Sequence, residues 1–318
     1  MGAPVDHTVL ESSTTYENPA SRVMEPGPLS EAHPKGDWRD YVSVTKIGIT
    51  VANLMMVFAG LWIGTTGRLD MSVVLLTMLG SALVVMSGTC LNNFIDRDLD
   101  KLMQRTKTRA LPEGRLTPSS VLKMGILLGI IGTVLLASVN MLTAVLGLVG
   151  LFFYVVAYTL WTKRTTTLNT LVGGVAGAMP PVMGYAAVTN TMDMVAWVIF
   201  TVLFLWQVPH FLALAMRRAD DYRTAGFQML PAVRGFEVTK HYILSYTVAL
   251  VPVTLLLFAL GAVGKVYLAG MGILGLVYIV LNVSGFFMKD SIKFSRMSFV
   301  YSLIYLTMFS LLIMIDRV

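Results

Sequence analysis

Apolar stretches of about 20 residues recur from Tyr41 to the C-terminus, separated by polar segments of different lengths. A helix of about 20 apolar residues is long enough to cross the roughly 30 Å hydrocarbon core of a bilayer. We therefore predict an all-α polytopic membrane protein with nine transmembrane helices. The predicted ranges are 42–66, 72–95, 118–138, 142–162, 167–188, 192–216, 238–261, 266–288 and 296–315.

Composition agrees with this prediction, because 55% of the 318 residues are hydrophobic and 13% are charged. Soluble domains carry roughly 25% charged residues. The deficit of charge excludes an intrinsically disordered chain, a basic nucleic-acid-binding domain and a small disulfide scaffold. No nucleic-acid partner is therefore expected. Cys90, the single cysteine of the sequence, cannot form an internal disulfide.

The first 40 residues differ from the rest of the chain, since they hold seven acidic and three basic residues among scattered Pro, Ser and Thr. We predict a disordered cytoplasmic tail over 1–40 and a transmembrane domain over 41–318. The tail has no apolar run long enough for a signal peptide, and mitochondrial transit peptides are Arg-rich and poor in acids. A bacterial plasma membrane is therefore favoured over a mitochondrial membrane.

The placement of Lys and Arg predicts the orientation, because these residues are enriched in cytoplasmic segments. With the N-terminus inside, the inner segments hold 21 of the 24 basic residues. The outer segments hold Arg68, Lys265 and Arg317. We predict a cytoplasmic N-terminus, cytoplasmic loops after the second and sixth helices, and a C-terminus outside.

Acidic residues cluster in the two longest inner loops, directly after the second and sixth helices. Asn92, Asp96 and Asp100 stand at i, i+4 and i+8, which places them on one face if the second helix continues beyond the membrane edge. Carboxylate and amide oxygens are hard ligands, and Mg²⁺ is usually held by one or two carboxylates together with substrate phosphates. The alternative is a solvated helix end, where the acids pair with neighbouring bases.

Basic residues follow these acids closely and are suited to bind phosphate oxygens. The candidates are Arg105, Lys107 and Arg109 after the second helix, and Lys163 and Arg164 after the fourth. The positive-inside rule alone is the alternative explanation for Lys163 and Arg164, and contact with lipid headgroups is the alternative for the others.

The fifth helix carries small residues and two prolines that permit either a broken helix or close helix packing. They are Gly173, Gly174, Gly177, Gly184 and Pro180–Pro181. A broken helix would leave space for a flat ring system or an isoprenoid chain, whereas close packing would fill that space.

The sixth helix carries polar side chains within its apolar run, and such groups often mark functional sites in membrane proteins. The residues are Trp206, Gln207 and His210, followed at the inner end by Arg217, Arg218, Asp221 and Tyr222. Hydrogen bonding to adjacent helices is the alternative explanation for Gln207 and His210.

Four motifs in these segments resemble one protein family. The N-x-x-x-D-x-x-x-D pattern of Asn92, Asp96 and Asp100 resembles the first signature of the UbiA superfamily of intramembrane prenyltransferases. Three further segments resemble its haem O synthase branch, also called protoheme IX farnesyltransferases. They are M-x-R-T-x-x-R-x-L at 103–111, W-Q-V-P-H-F at 206–211 and D-Y-R-T-A-G-F-Q-M-L-P at 221–231.

The resemblance implies nine helices around a central cavity and an enzyme that transfers the farnesyl group of farnesyl diphosphate to a vinyl group of haem b, giving haem O. It implies Mg²⁺ as cofactor, with Asn92, Asp96 and Asp100 as the metal-binding and catalytic residues. The expected diphosphate-binding residues are Arg105, Lys107, Arg109, Lys163 and Arg164. The expected haem-binding residues are Trp206, Gln207, His210, Arg217, Arg218, Asp221 and Tyr222. Besides these substrates and the lipid bilayer, a haem A synthase or assembly proteins of a terminal oxidase are candidate partners.

One departure from the wider superfamily concerns its second signature, usually D-x-x-x-D. Arg217 stands four residues before Asp221, so a base replaces one acid. This replacement disfavours a second Mg²⁺ bound by carboxylates alone, and it disfavours the nearest alternative, a prenyltransferase that acts on a quinone precursor. A secondary transporter is the alternative from a different class. The gathering of acids at one membrane face argues against a transporter.

Overall fold

The computed structural model describes residues 36–318, and nine helices in this range are long and apolar enough to cross a membrane. They are α1 (Ile47–Gly64), α2 (Met71–Asp100), α3 (Pro118–Val139), α4 (Met141–Thr165), α5 (Asn169–Thr189), α6 (Met194–Met216), α7 (Gly235–Ala259), α8 (Lys265–Ser284) and α9 (Ser291–Ile315). The predicted all-α membrane fold with nine helices is confirmed. Helix α2 continues to Asp100, beyond its predicted end at residue 95.

Three short helices lie on the side that carries the acidic loops, one before α1 and two between α6 and α7. They are Trp38–Val44, Ala219–Thr224 and Leu230–Val233. The predicted tail over 1–40 lies outside the described residues except for its last five positions. There, Asp37 caps the helix Trp38–Val44 by accepting from the backbone N–H groups of Arg39 and Asp40. The boundary between tail and membrane domain stays a prediction.

Helices α1 and α5 pack backbone against backbone through two glycines. A Cβ atom at Gly60 would lie 1.9 Å from the Pro181 carbonyl oxygen, and one at Gly184 would lie 1.9 Å from the Val57 carbonyl oxygen. The broken fifth helix that the sequence permitted is not observed, because α5 is continuous through Pro180 and Pro181. Close packing against neighbouring helices lets a membrane helix tolerate internal prolines. Gly184 therefore serves helix packing, whereas Gly173, Gly177 and Pro180 also line the space between the helices.

Helix α4 contains a π-helical segment, Phe153–Thr162. Thr159 and Thr162 each donate a side-chain hydrogen bond to the carbonyl five residues earlier, at 2.8 Å in both cases. Wider turns of this kind change which side chains share a helix face, and they occur frequently at functional sites. The segment directs Tyr154, Tyr158 and Thr159 toward the second helix and the space beside it.

The C-terminal residues pack at the end of the bundle that lies opposite to the acidic loops. Arg317 Nη1 donates to the Trp62 carbonyl oxygen at 2.6 Å, and its guanidinium lies 4.7 Å from the centre of the Trp62 ring. The Trp62 indole N–H in turn donates to the Met314 carbonyl at 3.1 Å. These contacts join the ends of α1 and α9, whereas the acidic end of α2 lies at the other side of the bundle.

Candidate active site

A cavity of about 580 Å³ lies between the helices and reaches their acidic ends. This volume is within the range of small-molecule sites, roughly 300–1,000 Å³. At one end it is lined by charged and amide side chains, and deeper in the bundle by apolar ones. The deep wall includes Met56, Met179, Met183, Leu203 and Leu306. A charged entrance that continues into an apolar interior suits a ligand with an anionic head and a hydrocarbon chain.

Asn92, Asp96 and Asp100 lie on the cavity-facing side of α2, as their spacing predicted. All three are buried, with 5%, 2% and 4% of their surface exposed. Asn92 Nδ2 donates to Asp96 Oδ2 at 2.9 Å, so the first two polar groups of the face are in direct contact. Asp98 lies on the exposed side of the helix and makes only long surface ion pairs at 3.6 Å.

Each buried carboxylate is paired with a cation from another part of the chain. Lys163, at the end of α4, donates to Asp96 Oδ2 at 2.5 Å, and Arg109 donates to Asp100 Oδ2 at 2.6 Å. Arg164 approaches Asp96 Oδ1 at 3.4 Å from a more exposed position. Because burying an uncompensated carboxylate is costly, these pairs make the burial of both acids possible. The predicted bases Arg109 and Lys163 therefore do lie at the acidic face.

Lys46 is a functional candidate that sequence analysis missed. Its ammonium donates to Asn92 Oδ1 at 3.0 Å and lines the cavity. The residue has a left-handed backbone, with φ of 50°, and this turn between two helices aims the side chain at α2. Burial, together with the nearby cations Arg109 and Lys163, lowers the pKa of Lys46 to about 7. An anionic ligand would favour its charged form.

The π-helical segment of α4 contributes further residues that the sequence did not indicate. Thr159 Oγ1 accepts a hydrogen bond from Asn92 Nδ2 at 3.2 Å. Since the Thr159 hydroxyl hydrogen is donated to Tyr154, the bond from Asn92 fixes the amide with its oxygen toward Lys46. The rings of Tyr154 and Tyr158 stack at 6.1 Å between centres and line the cavity.

The remaining predicted residues divide into two groups by position. Five of them line the cavity together with the acids and bases described above: Arg105, Trp206, Gln207, His210 and Tyr222. Those that the structure places outside the cavity lining are Lys107, Arg164, Arg217, Arg218 and Asp221. Lys107 is exposed and Asp221 is half-buried.

Helix α6 places His210 between two aromatic rings on the cavity wall. The centres of the Trp206 and Phe299 rings lie 4.6 and 4.7 Å from that of the imidazole, and both rings are nearly parallel to it. His210 Nδ1 lies 2.7 Å from Ser302 Oγ. Gln207, one turn away, donates to the carbonyls of Gly174 and Leu203, so its amide N–H groups hold α5 and α6 together.

Guanidinium groups gather at the rim of the cavity above this aromatic stack. Arg217 lies 5.9 Å from the centre of the Phe299 ring. The buried Nε atom of Arg218 has no hydrogen-bond partner within residues 36–318. Burial lowers the pKa of Arg105, with the Arg218 and Arg109 charges adding to this effect, and burial raises the pKa of Tyr222. Guanidinium groups are suited to bind a carboxylate or a phosphate.

The side chains of Asn92, Asp96 and Asp100, which form the acidic face of α2, fit an Mg²⁺ ion that takes its remaining ligands from substrate phosphates. In the part of the chain that is described, no group of three or more His, Cys, Asp or Glu side chains converges on one point. Asp96, Asp100 and the Asn92 amide supply two carboxylates and one neutral oxygen. Mg²⁺ sites commonly combine one or two carboxylates with phosphate oxygens rather than a full cage of protein ligands.

The sequence matches the UbiA prenyltransferase family over residues 53–304. The chain belongs to this family. It is 45% identical to the protoheme IX farnesyltransferase of Alkalihalophilus pseudofirmus over 313 residues, covering 96% of this chain and 99% of that protein. It is 43% identical to protoheme IX farnesyltransferase 2 of Bacillus subtilis, covering 86% of this chain and 90% of that protein. The predicted superfamily is confirmed, and these relatives agree with the predicted branch.

Solved structures of UbiA homologues share the fold. The apo structure of a homologue from Aeropyrum pernix K1 aligns with a TM-score of 0.71 and 19% identity, covering 85% of this chain and 98% of that chain. A homologue from Archaeoglobus fulgidus bound to GPP and Mg²⁺ aligns with a TM-score of 0.68 and 13% identity, covering 86% and 99%. The predicted UbiA-like arrangement of helices is therefore confirmed for this family member.

Proposed function

We propose that the chain is an intramembrane prenyltransferase that transfers the farnesyl group of farnesyl diphosphate to a vinyl group of haem b, giving haem O. The names of relatives that are 43–45% identical over most of their length support this substrate pair. The structural observation that carries the proposal is the pairing of Asp96 with Lys163 and of Asp100 with Arg109 at the mouth of an apolar cavity.

The diphosphate of the donor is assigned to the acidic face. Asn92, Asp96 and Asp100 would hold Mg²⁺, which supplies positive charge to a diphosphate that becomes more negative as it departs. The GPP and Mg²⁺ bound by the Archaeoglobus fulgidus homologue support this assignment. Arg105, Arg109 and Lys163 line the cavity and would bind the phosphate oxygens, with Lys46 as an additional donor. Lys107 and Arg164 lie farther out and would attract the anion from solution.

The surroundings of the site favour cleavage of the bond between C1 of the farnesyl group and the diphosphate oxygen. The diphosphate leaves with the bonding electrons, and the cations around Asp96 stabilise that charge. The apolar wall excludes stray water, so the terminal carbon of the haem vinyl group forms the new bond to C1. Water then adds to the adjacent carbon and releases a proton, which yields the hydroxyethylfarnesyl group of haem O. Tyr154 and Tyr158 line the cavity, and their rings stack on each other.

The haem is assigned to the opposite part of the cavity wall, on α6. His210 and Trp206 would contact the porphyrin, while Gln207 supports the wall from behind through its bonds to Gly174 and Leu203. The guanidinium groups of Arg217 and Arg218 at the rim suit the two propionate groups of haem. Tyr222 and Asp221 lie at the same rim.

The proposed topology places the N-terminus and both acidic loops in the cytoplasm of a bacterial cell, with the C-terminus outside the plasma membrane. Labelling of introduced cysteines tests this orientation, since the native Cys90 is buried. A cysteine at the exposed position Asp98 should react with impermeant reagent only from the cytoplasmic side, and one at Arg68 only from outside. A haem A synthase or oxidase assembly proteins remain proposed partners.

Product analysis tests the proposed function. Purified chain in lipid nanodiscs is incubated with farnesyl diphosphate, haem b and Mg²⁺, and the porphyrins are analysed by mass spectrometry. We expect a product heavier than haem b by one farnesyl group plus one hydroxyl group. A parallel reaction with a quinone precursor separates the alternatives. Prenylation of the quinone precursor without modification of haem would overturn the proposal.

A further inference from the structure

The imidazole of His210 is held by one polar contact and two aromatic rings. Nδ1 lies 2.7 Å from Ser302 Oγ, and the Ser302 hydroxyl lies 2.6 Å from the Phe299 carbonyl oxygen, to which it donates. The Trp206 indole N–H donates to the Ser302 carbonyl at 2.7 Å. Ser302 on α9 is therefore the anchor of both the imidazole and the indole of α6.

These bonds favour one tautomer of the ring. A serine hydroxyl has a single hydrogen, and Ser302 Oγ lies 2.6 Å from the Phe299 carbonyl oxygen, to which it can donate. With its hydrogen donated there, Ser302 Oγ accepts from His210, which places the ring proton on Nδ1. Nε2 is left with its lone pair. This is the pattern seen around metal-binding histidines, whose second ring nitrogen donates to a fixed oxygen that orients the ring and sets the tautomer.

Ser302 contacts Nδ1 of His210, so Nε2 is the ring nitrogen left for a ligand in the cavity that His210 lines. Trp206 and Phe299 cover the two faces of the imidazole at 4.6 and 4.7 Å, and all three residues line the cavity. A neutral imidazole with an available Nε2 lone pair is a good ligand for iron.

We infer that His210 Nε2 is the axial ligand of the haem iron, so that the acceptor is held through its metal while its vinyl group reacts. The inference rests on the proposed function, since that function supplies the haem. Ligation would hold the centre of the porphyrin beside α6. The rim cations Arg217 and Arg218 would then set the rotation of the porphyrin about the iron–nitrogen bond. Ser302 is then a positioning residue, and Trp206 and Phe299 limit the tilt of the ring.

Spectroscopy of the haem-loaded chain tests this ligation independently of turnover. The other histidines of the sequence are His7, His33 and His241. His241 is exposed on α7 and lies outside the cavity lining. We would replace these three by alanine, leaving His210 as the only histidine of an otherwise unchanged full-length chain. Ferrous haem bound to this variant should retain the iron–histidine stretching band in resonance Raman spectra and the wild-type Soret maximum.

Further substitution of His210 in this background should remove the signature. We expect His210→Ala to lose the iron–histidine band, to weaken haem binding by about 10- to 100-fold, and to recover a histidine-like spectrum on addition of free imidazole. His210→Met should shift the Soret maximum because a thioether replaces the imidazole, and it serves as the test if the alanine variant does not fold. Ser302→Ala should keep the band but shift its frequency, because Nδ1–H loses its acceptor.

An unchanged iron–histidine band or Soret maximum in folded His210→Ala or His210→Met would overturn the inference. Haem O formation is measured separately on the same preparations. If the wild type makes haem O while the His210 spectra do not change, the ligation is wrong and the proposed function stands. If the spectra change as expected while the wild type makes no haem O, the proposed function fails and the ligation stands.

Discussion

Lys163 Nζ lies 2.5 Å from Asp96 Oδ2, although the two residues are 67 positions apart and belong to different helices. The contact neutralises a carboxylate that is only 2% exposed. Asp96, which is proposed to bind the metal, is therefore paired in this structure with Lys163, which is proposed to bind the diphosphate. When Mg²⁺ and diphosphate bind, this ion pair would be replaced by one between Asp96 and Mg²⁺ and one between Lys163 and the diphosphate. The net charge of the buried site would change little.

The carboxylate of Asp96 is the first target for mutagenesis. Asp96→Asn keeps the shape of the side chain but removes the charge that would hold Mg²⁺, and it leaves Lys163 without its partner. We expect kcat/KM for farnesyl diphosphate to fall by at least about 100-fold, with insertion and size-exclusion profile unchanged. The matched control is Asp98→Asn, on the exposed side of the same helix, which should retain wild-type kinetics. Equal losses in both variants would contradict the assignment of the cavity-facing side.

Lys46 provides a test that motif analysis alone would not suggest. Hydrogen bonds that involve a charged group contribute roughly 1.5–3 kcal/mol, so we expect Lys46→Met to weaken donor binding by about 10- to 100-fold. The control is Lys107→Met, which removes an equal charge from an exposed position outside the cavity lining and should change affinity by less than about 3-fold. Calorimetric titration with a non-reactive analogue of farnesyl diphosphate measures both. A larger effect at Lys107 than at Lys46 would contradict the placement of the diphosphate inside the cavity.

Thr159 is expected to act by orienting Asn92. Thr159→Val removes one of the two oxygens that accept from Asn92 Nδ2, so Asp96 and Lys46 alone hold the amide and its orientation is less strictly fixed. We expect the apparent Mg²⁺ requirement for turnover to rise, with a smaller effect on the KM for haem. Thr162→Val is the control, because Thr162 makes the same bond to the carbonyl five residues earlier but does not contact Asn92. The two variants should therefore differ in their Mg²⁺ titrations.

The contact between α1 and α5 makes a prediction about stability. Gly184→Ala would place a Cβ atom 1.9 Å from the Val57 carbonyl oxygen, and backbone at that distance has to move. We expect a destabilisation of about 3 kcal/mol and a lower melting temperature in detergent. Gly272→Ala on α8 meets nothing within 4 Å and should leave the melting temperature unchanged or slightly raised. An unchanged melting temperature for Gly184→Ala would show that α1 and α5 lie farther apart than this structure places them.

The features that could be predicted from the sequence are those that repeat or that lie within one helix. Apolar runs gave the nine helices, and the i, i+4, i+8 spacing gave the common face of Asn92, Asp96 and Asp100, because both depend on the geometry of a single helix. Arg109 and Lys163 lie beside the acids, and their role in binding diphosphate stays a prediction. The sequence left a broken and a closely packed fifth helix open as alternatives, and α5 is continuous through its prolines.

The residues that were missed depend on tertiary structure. Lys46 resembles any basic residue before a first transmembrane helix, and only its left-handed backbone turns it toward Asn92. Thr159 and Tyr154 reach the site because of the π-helical segment, whose wider turns follow no spacing rule that α-helical periodicity would reveal. The anchor of His210, Ser302, lies 92 positions away on α9.

A structure of the chain with Mg²⁺, haem b and a non-reactive thio analogue of farnesyl diphosphate would locate both substrates. We predict the diphosphate between the acidic face of α2 and Lys163, the farnesyl chain among the apolar residues of the cavity, and a haem vinyl group facing C1. Diphosphate density outside this cavity, or a haem bound on the membrane-facing surface of the bundle, would contradict this prediction.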